Sequence, residues 1–308
     1  MKSTHMKSKW NRFRHSKISV FKLLKTFLFI SSLAVTQQVM AEACSDPISG
    51  LTDCWSIPDT YTITLYEMGV CNDISDQSST VPDIASSCQT TYSNSTGATV
   101  NVENNVTGKL SGGTSTRPDD NLYSYGFIKV DANMIMKHQA TFAAPITGSG
   151  TGLGTTCWTN GNSSPGGETT DCGTAEDADP QNMNVYIIGL NCSGGEQGMF
   201  YCRYENDPEG LDNTYAWLVD VNGNASTNTY APFGIGRYSE TVGDVKYLIG
   251  IAKFNEPKTV NDASTGMQAQ YRVTRGLNAN FSAPPLTASD EVDFTLQEFK
   301  VITTITTD

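Results

Sequence analysis

The stretch Tyr61-Thr62-Ile63-Thr64-Leu65 decides the fold class. Alternate residues of a β-strand share a face, so Tyr61, Ile63 and Leu65 form an apolar face and the two threonines a polar one. The same period of two returns in Met267, Ala269, Tyr271 and Val273, which alternate with Gln268, Gln270, Arg272 and Thr274. Helical spacing of apolar residues does not recur along the chain.

Working outward, Tyr123–Val130 and Asn133–Phe142 flank Asp131-Ala132 and are predicted to pair as a hairpin. Val185–Leu190 and Met199–Tyr204 are predicted as partners across the turn at Gly194-Gly195. Further strands are expected at Tyr215–Val221, Val245–Phe254 and Val292–Ile305. In the last, apolar residues move from Val292, Phe294 and Leu296 to Phe299 and Val301. That change of face predicts a β-bulge near Glu298. Roughly nine to twelve short strands between Gly/Pro/Asn/Asp turns imply an all-β fold: a loop-rich, disulfide-braced antiparallel β-sandwich or jelly roll.

The 308 residues carry 20 Lys+Arg against 32 Asp+Glu, a formal net charge of -12. The charge is unevenly placed. Residues 1–41 contain eight basic residues and no acidic one, which leaves 12 basic against 32 acidic residues, net -20, in 42–308. A body that acidic repels phosphate backbones, so nucleic acid is excluded as a partner.

Behind the basic leader lies the apolar run Thr26–Val35 (TFLFISSLAV), followed by Val39-Met40-Ala41 with small or medium residues at the −3 and −1 positions. Such a run is too short for the roughly twenty residues that span a bilayer. The combination reads as a secretory signal peptide over 1–41, with a mature chain beginning at Glu42. No transmembrane segment is expected in the mature chain. Its destination is the cell surface or the extracellular space, or a periplasm.

All eight cysteines lie beyond that boundary: Cys44, Cys54, Cys71, Cys88, Cys157, Cys172, Cys192 and Cys202. An even number in an exported chain reads as disulfides. Pairing of neighbours (44–54, 71–88, 157–172 and 192–202) is expected, because each pair closes a short polar loop. Zinc is disfavoured, since no CxxC pair occurs and His138 is the sole histidine after residue 41. The Gly-rich run Thr147–Gly154 is a potential boundary within an otherwise single 42–308 domain, and residues 159–184, poor in apolar side chains, are expected to form a long surface loop.

Four kinds of site are readable. His138 is the residue that any Ser-His-Asp or Cys-His device must use; its strand company of Met134, Met136, Ala140 and Phe142 favours a partly buried structural role. Asp220, Asn222, Asn224 and Ser226 place oxygen donors at alternate positions, as a calcium loop begins. However, Ala225 and Ala231 stand where an EF-hand needs glycine and glutamate, and an Asn-Gly turn explains the segment equally. Trp158 and Trp217 lie near predicted strand ends, where exposed rings stack on sugars, although core packing is their ordinary role. Finally, glycoside hydrolysis needs two placed carboxylates, but nothing singles out a pair among 32 acids. No cofactor is required by any motif.

The function expected from these features is non-enzymatic: a structural or adhesive protein at the cell surface or in an extracellular assembly. Its partners are other protein chains or surface glycans, with the terminal strand 292–305 offered for pairing. The alternative is a carbohydrate-binding or glycoside-active protein, with calcium.

Overall fold

The computed structural model describes residues 42–49, 53–74, 80–102, 110, 112–164, 167–187, 190, 200–204, 213–227, 243–273, 275–281, 291–297 and 300–307. Strands β1 (Glu42–Ala43), β2 (Cys54–Ser56) and β3 (Thr60–Cys71) lead into a single-turn helix α1 (Ile84–Ser87). Then follow β4 (Cys88–Asn101), β5 (Thr114–Ser115), β6 (Asn121–Asp131), β7 (Asn133–Lys137), β8 (Gln139–Gly148) and β9 (Leu153–Thr159). Short strands β10 (Ser163–Ser164), β11 (Thr170–Gly173), β12 (Met183–Tyr186) and β13 (Tyr201–Tyr204) come next. The chain closes with β14 (Thr214–Val219), β15 (Tyr247–Val260), β16 (Ser264–Arg272), β17 (Leu277–Phe281), β18 (Glu291–Leu296) and β19 (Lys300–Thr307). The fold is nearly all β, and residues 41–308 cluster as one unit.

Seven strands form one sheet in the order β1-β2-β17-β18-β8-β9-β11. A ten-stranded sheet has the path β10-β12-β7-β3-β6-β15-β14-β13, with β4 and β5 branching from β3, and β16 pairs with β19 separately. The sheets are mixed rather than purely antiparallel: β1–β2, β10–β12 and β8–β18 run parallel.

Strand β3 is the axis of the larger sheet. Thr62 pairs with Asn101 of β4 on one edge and Ile135 of β7 on the other, while Leu65 pairs with Ala98 and with Val130 of β6. Thus β6 and β7 lie end to end along the same edge of β3, and the expected hairpin at Asp131-Ala132 does not form. A two-residue hairpin needs a residue with positive φ; neither Asp131 nor Ala132 adopts one. The second expected pairing also differs. β12 pairs with β7 and β10, and β13 pairs with β14. Gly194-Gly195 lies outside the described residues. In the C-terminal stretch, β18 pairs with β17 and β8 while β19 pairs with β16, so the change of face marks a change of sheet. Glu298 itself lies outside the described residues.

The core explains why β14 reads as the nearly unbroken apolar run Tyr215-Ala216-Trp217-Leu218-Val219. Both faces of the strand are buried, as such runs require. Ala216 and Leu218 join Ile63, Leu65, Val130 and Leu248 on one side. Tyr215, Trp217 and Val219 join Phe127, Ile249 and Ile251 on the other. A further cluster draws Met136 and Met183 of the ten-stranded sheet together with Phe142, Cys157, Leu277, Val292 and Phe294 of the seven-stranded one.

Among the described residues three complete disulfides are present: Cys44–Cys54, Cys71–Cys88 and Cys157–Cys172. The latter two join residues directly opposed across strand pairs, β3–β4 and β9–β11. Each closes a loop of the size that adds about 3 kcal/mol in the chain-entropy account. Cys202 is also disulfide-bonded; Cys192, its expected partner, lies outside the described residues.

The run Thr147–Gly154 is the closed end of the β8–β9 hairpin, packed against β11. Gly152 has φ +84°, and a Cβ there meets the Cys172 carbonyl. Residues 159–184 likewise contain more structure than a surface loop. They supply β10, β11 and half of β12, and Thr159, Thr169, Thr170 and Met183 are buried. The Thr169 and Thr170 hydroxyls donate to Asp293 Oδ1 at 2.6 and 3.3 Å, as does Ser149 Oγ at 2.9 Å. Satisfied hydroxyls let threonine enter a core that its polarity alone would forbid.

Candidate functional site

His138 sits between β7 and β8 and is 6% exposed. Its backbone is fixed by Thr159 on both sides: His138 N–H donates to Thr159 Oγ1 at 3.2 Å, and Thr159 N–H donates to the His138 carbonyl at 3.0 Å. The ring meets Phe294 edge-on, with centroids 5.1 Å apart. A buried, structurally held histidine is thus what the structure presents.

Two polar side chains reach the same ring from another direction. Ser56, at the end of β2, places Oγ 3.2 Å from His138 Nε2. Asp59, just before β3, places Oδ2 3.8 Å from Nδ1. The second distance exceeds a hydrogen bond, and Nδ1 has no hydrogen-bond partner although it is buried. Asp59 Oδ2 is held in place by the Gln139 N–H at 2.9 Å. Burial pushes the His138 pKa below its ordinary value, and the Asp59 charge opposes that shift. The imidazole is therefore neutral at pH 7. With Nδ1 carrying the proton, Nε2 accepts from the serine hydroxyl.

The sequence offered no signal for Ser56 and Asp59. They occur in Cys54-Trp55-Ser56-Ile57-Pro58-Asp59, a segment without a catalytic motif and some eighty residues before the histidine. Only the solitary His138 pointed toward the place.

Trp158 is 8% exposed and Trp217 is 0% exposed. Neither ring presents a face to solvent on which a sugar could stack. Trp217 stacks on Tyr215, with centroids 6.1 Å apart, and tilts against Tyr201 at 5.7 Å. The same holds for Tyr123, Tyr125 and Tyr215, all of them buried.

The loop after β14 is a hydrogen-bonded turn. Asp220 Oδ1 accepts the backbone N–H groups of Asn222 and Asn224, both at 2.8 Å. The side-chain amides of the two asparagines also turn to Asp220, at 3.5 and 3.2 Å. Desolvation is the largest single influence on the Asp220 pKa and raises it, but the donors of Asn224 and Asn222 together outweigh it and hold the pKa below its ordinary value. Asn222 and Asn224 thus turn donor groups toward Asp220, whereas the Ser226 hydroxyl is engaged elsewhere. Ser226 Oγ donates instead to Asp244 at 2.5 Å. The Ser226 hydroxyl and the Thr227 N–H and hydroxyl hold the Asp244 carboxyl down to about 2. Among the described residues, no group of three or more His, Cys, Asp or Glu side chains is placed to hold a metal ion.

No family model, curated protein or solved structure matches the chain.

Proposed function

We propose that the chain is an exported structural or adhesive protein that acts at the cell surface or in an extracellular assembly. The observation that carries this reading is a sheet buried on both faces and cross-linked by a disulfide between directly opposed residues of adjacent strands. Disulfides persist in oxidising compartments. Among the described residues no helix is long and apolar enough to cross a membrane. The basic, apolar leader 1–41 supports export through a signal peptide, and net -20 over residues 42–308 supports a surface in contact with water.

Assembly through strand pairing needs an open edge. The terminal stretch does not supply one within residues 291–296, because β18 is flanked by β17 and β8 and contributes the buried Val292 and Phe294. Strand β4 is better suited. One edge lies against β3, whereas only Tyr92 and Ser93 pair with β5 on the other. Among the described residues, 95–101 have no strand on that second edge, and such edges accept a neighbouring strand.

The test is to place charges on this edge with the double substitution Thr99→Lys and Asn101→Lys, both at exposed positions. A folded, disulfide-intact variant that no longer assembles supports edge pairing. Assembly that persists unchanged contradicts it.

A further inference from the structure

We propose that Ser56, His138 and Asp59 form a reactive-serine site that cleaves uncharged carboxylic esters bearing an apolar group. This goes beyond the structural reading above and does not depend on it. The three residues stand in the roles of a Ser-His-Asp device, recognised by geometry rather than by order in the chain. The nucleophile's oxygen is 3.2 Å from Nε2, and the carboxylate lies on the Nδ1 side at 3.8 Å. The chemistry needs the tautomer with its proton on Nδ1, the side on which the carboxylate lies. Nδ1 is buried and without a hydrogen-bond partner, a costly arrangement that a nearby carboxylate relieves when this nitrogen carries the proton. The Asp59 side chain is 51% exposed, with Oδ2 oriented on the Nδ1 side by the Gln139 N–H; such contacts are commonly loose before substrate binds.

The scaffold fixes the parts. β2 is paired with β17 through Ser56 and Leu277. His138 is locked to Thr159, and Asp59 is tied to the residue after the histidine. Ser56 itself is half-buried, lies beyond the two residues of β2 that β1 covers, and is followed by Ile57, which is 46% exposed. Ile57 offers an apolar contact to an acyl chain, and the acidity of the body disfavours anionic substrates.

In the reaction, Ser56 Oγ attacks the ester carbonyl carbon and its proton passes to His138 Nε2. The tetrahedral adduct collapses, the ester C–O bond breaks, and the leaving oxygen takes the proton from the imidazolium. Water then gives a proton to the same nitrogen as it attacks the acyl-serine; the second adduct collapses, the acyl C–Oγ bond breaks, and Ser56 Oγ takes that proton back as the acid is released. Burial, by keeping the imidazole neutral, leaves it able to act as this base at pH 7.

The experiment exposes the folded mature protein to a neutral fluorophosphonate probe, which transfers its phosphonyl group to an activated serine with loss of fluoride. The modified residue is located by peptide mass spectrometry. We expect labelling at Ser56 in native protein, its absence after heat denaturation, and its loss in Ser56→Ala. His138→Gln is expected to slow labelling at least about 100-fold, the lower range of a general base's contribution. Because His138 is buried and that variant risks misfolding, Asp59→Asn, at an exposed position, provides the second arm, with labelling slowed at least about tenfold. No labelling of Ser56 in folded protein overturns the proposal. So does Ser56 labelling that is unchanged in folded Asp59→Asn and His138→Gln, since a merely structural contact has no such dependence.

Discussion

Cys71 and Cys88 occupy directly opposed positions on β3 and β4, with Cα atoms 4.0 Å apart and their sulfurs bonded. Of the residues between them, Ile74, Val81 and Ile84 pack with the cluster of Tyr215, Trp217 and Ile251 on one face of the larger sheet. The bridge therefore closes a loop and also holds the cover of a core. Replacing both cysteines by alanine is expected to lower stability by about 3 kcal/mol from chain entropy, with added exposure of the aromatic cluster. Chemical denaturation followed by tryptophan fluorescence checks both effects. A loss below about 1 kcal/mol would show that the cover does not need the bridge.

Trp217 is a packing residue. It is fully buried between Tyr215 and Tyr201 on a strand whose neighbours enclose both faces. Trp217→Ala is expected to cost about 3–5 kcal/mol, the range for deleting a large core ring. Equilibrium unfolding measures this directly. A nearly neutral substitution would contradict the burial.

The buried imidazole of His138 makes stability depend on pH. Its folded pKa lies below the ordinary 6.5, first because of burial. Below about 6.5 the unfolded chain takes up a proton that the folded chain resists, so folding weakens as pH falls. The contribution of this group is complete above about pH 6.5 and is lost toward its lower folded value. Melting temperatures recorded from pH 7.5 to 5.5 should fall in the native protein and fall less steeply in His138→Gln. Equal slopes would assign the pH dependence to other groups.

The second edge of β4 is where the proposed assembly can be tested. Lysines at Thr99 and Asn101 stand at exposed positions, so the monomer is expected to keep its unfolding free energy within the small range typical of surface changes, about 0.5 kcal/mol. Sedimentation of the same variant reads the assembly state. A drop in stability well beyond that range would mean that the edge is already covered.

The parts of this fold legible in the sequence were those set by local patterning. Tyr61, Ile63 and Leu65 alternate because one face of β3 enters a core, and all three are buried. Neighbouring cysteines in short polar loops anticipated the pairs 44–54, 71–88 and 157–172. Strand partners were not legible where turn chemistry was ambiguous. Asp131-Ala132 separates two strands in the chain, yet β3 supplies the edge along which both lie. Buried threonine was the other obstacle. Thr169 and Thr170 count as loop residues by polarity, but Asp293, more than a hundred residues away, satisfies their hydroxyls. The continuous run in β14 did carry a signal of burial on both faces, which places Trp217 in the core rather than on a sugar-facing surface. Ser56 and Asp59 left no trace at all, since their meeting with His138 depends on how β2 and β3 approach the β7–β8 junction.

The central claim is that the mature chain leaves the cytoplasm and works as part of an assembly. The most direct test combines fractionation of the producing cells with N-terminal sequencing, protease accessibility on intact cells, and native mass of the recovered protein. The account predicts a chain beginning at Glu42, accessible from outside, in particles larger than a monomer. An intracellular chain retaining residues 1–41, or a mature protein that is solely monomeric within the envelope, would contradict it.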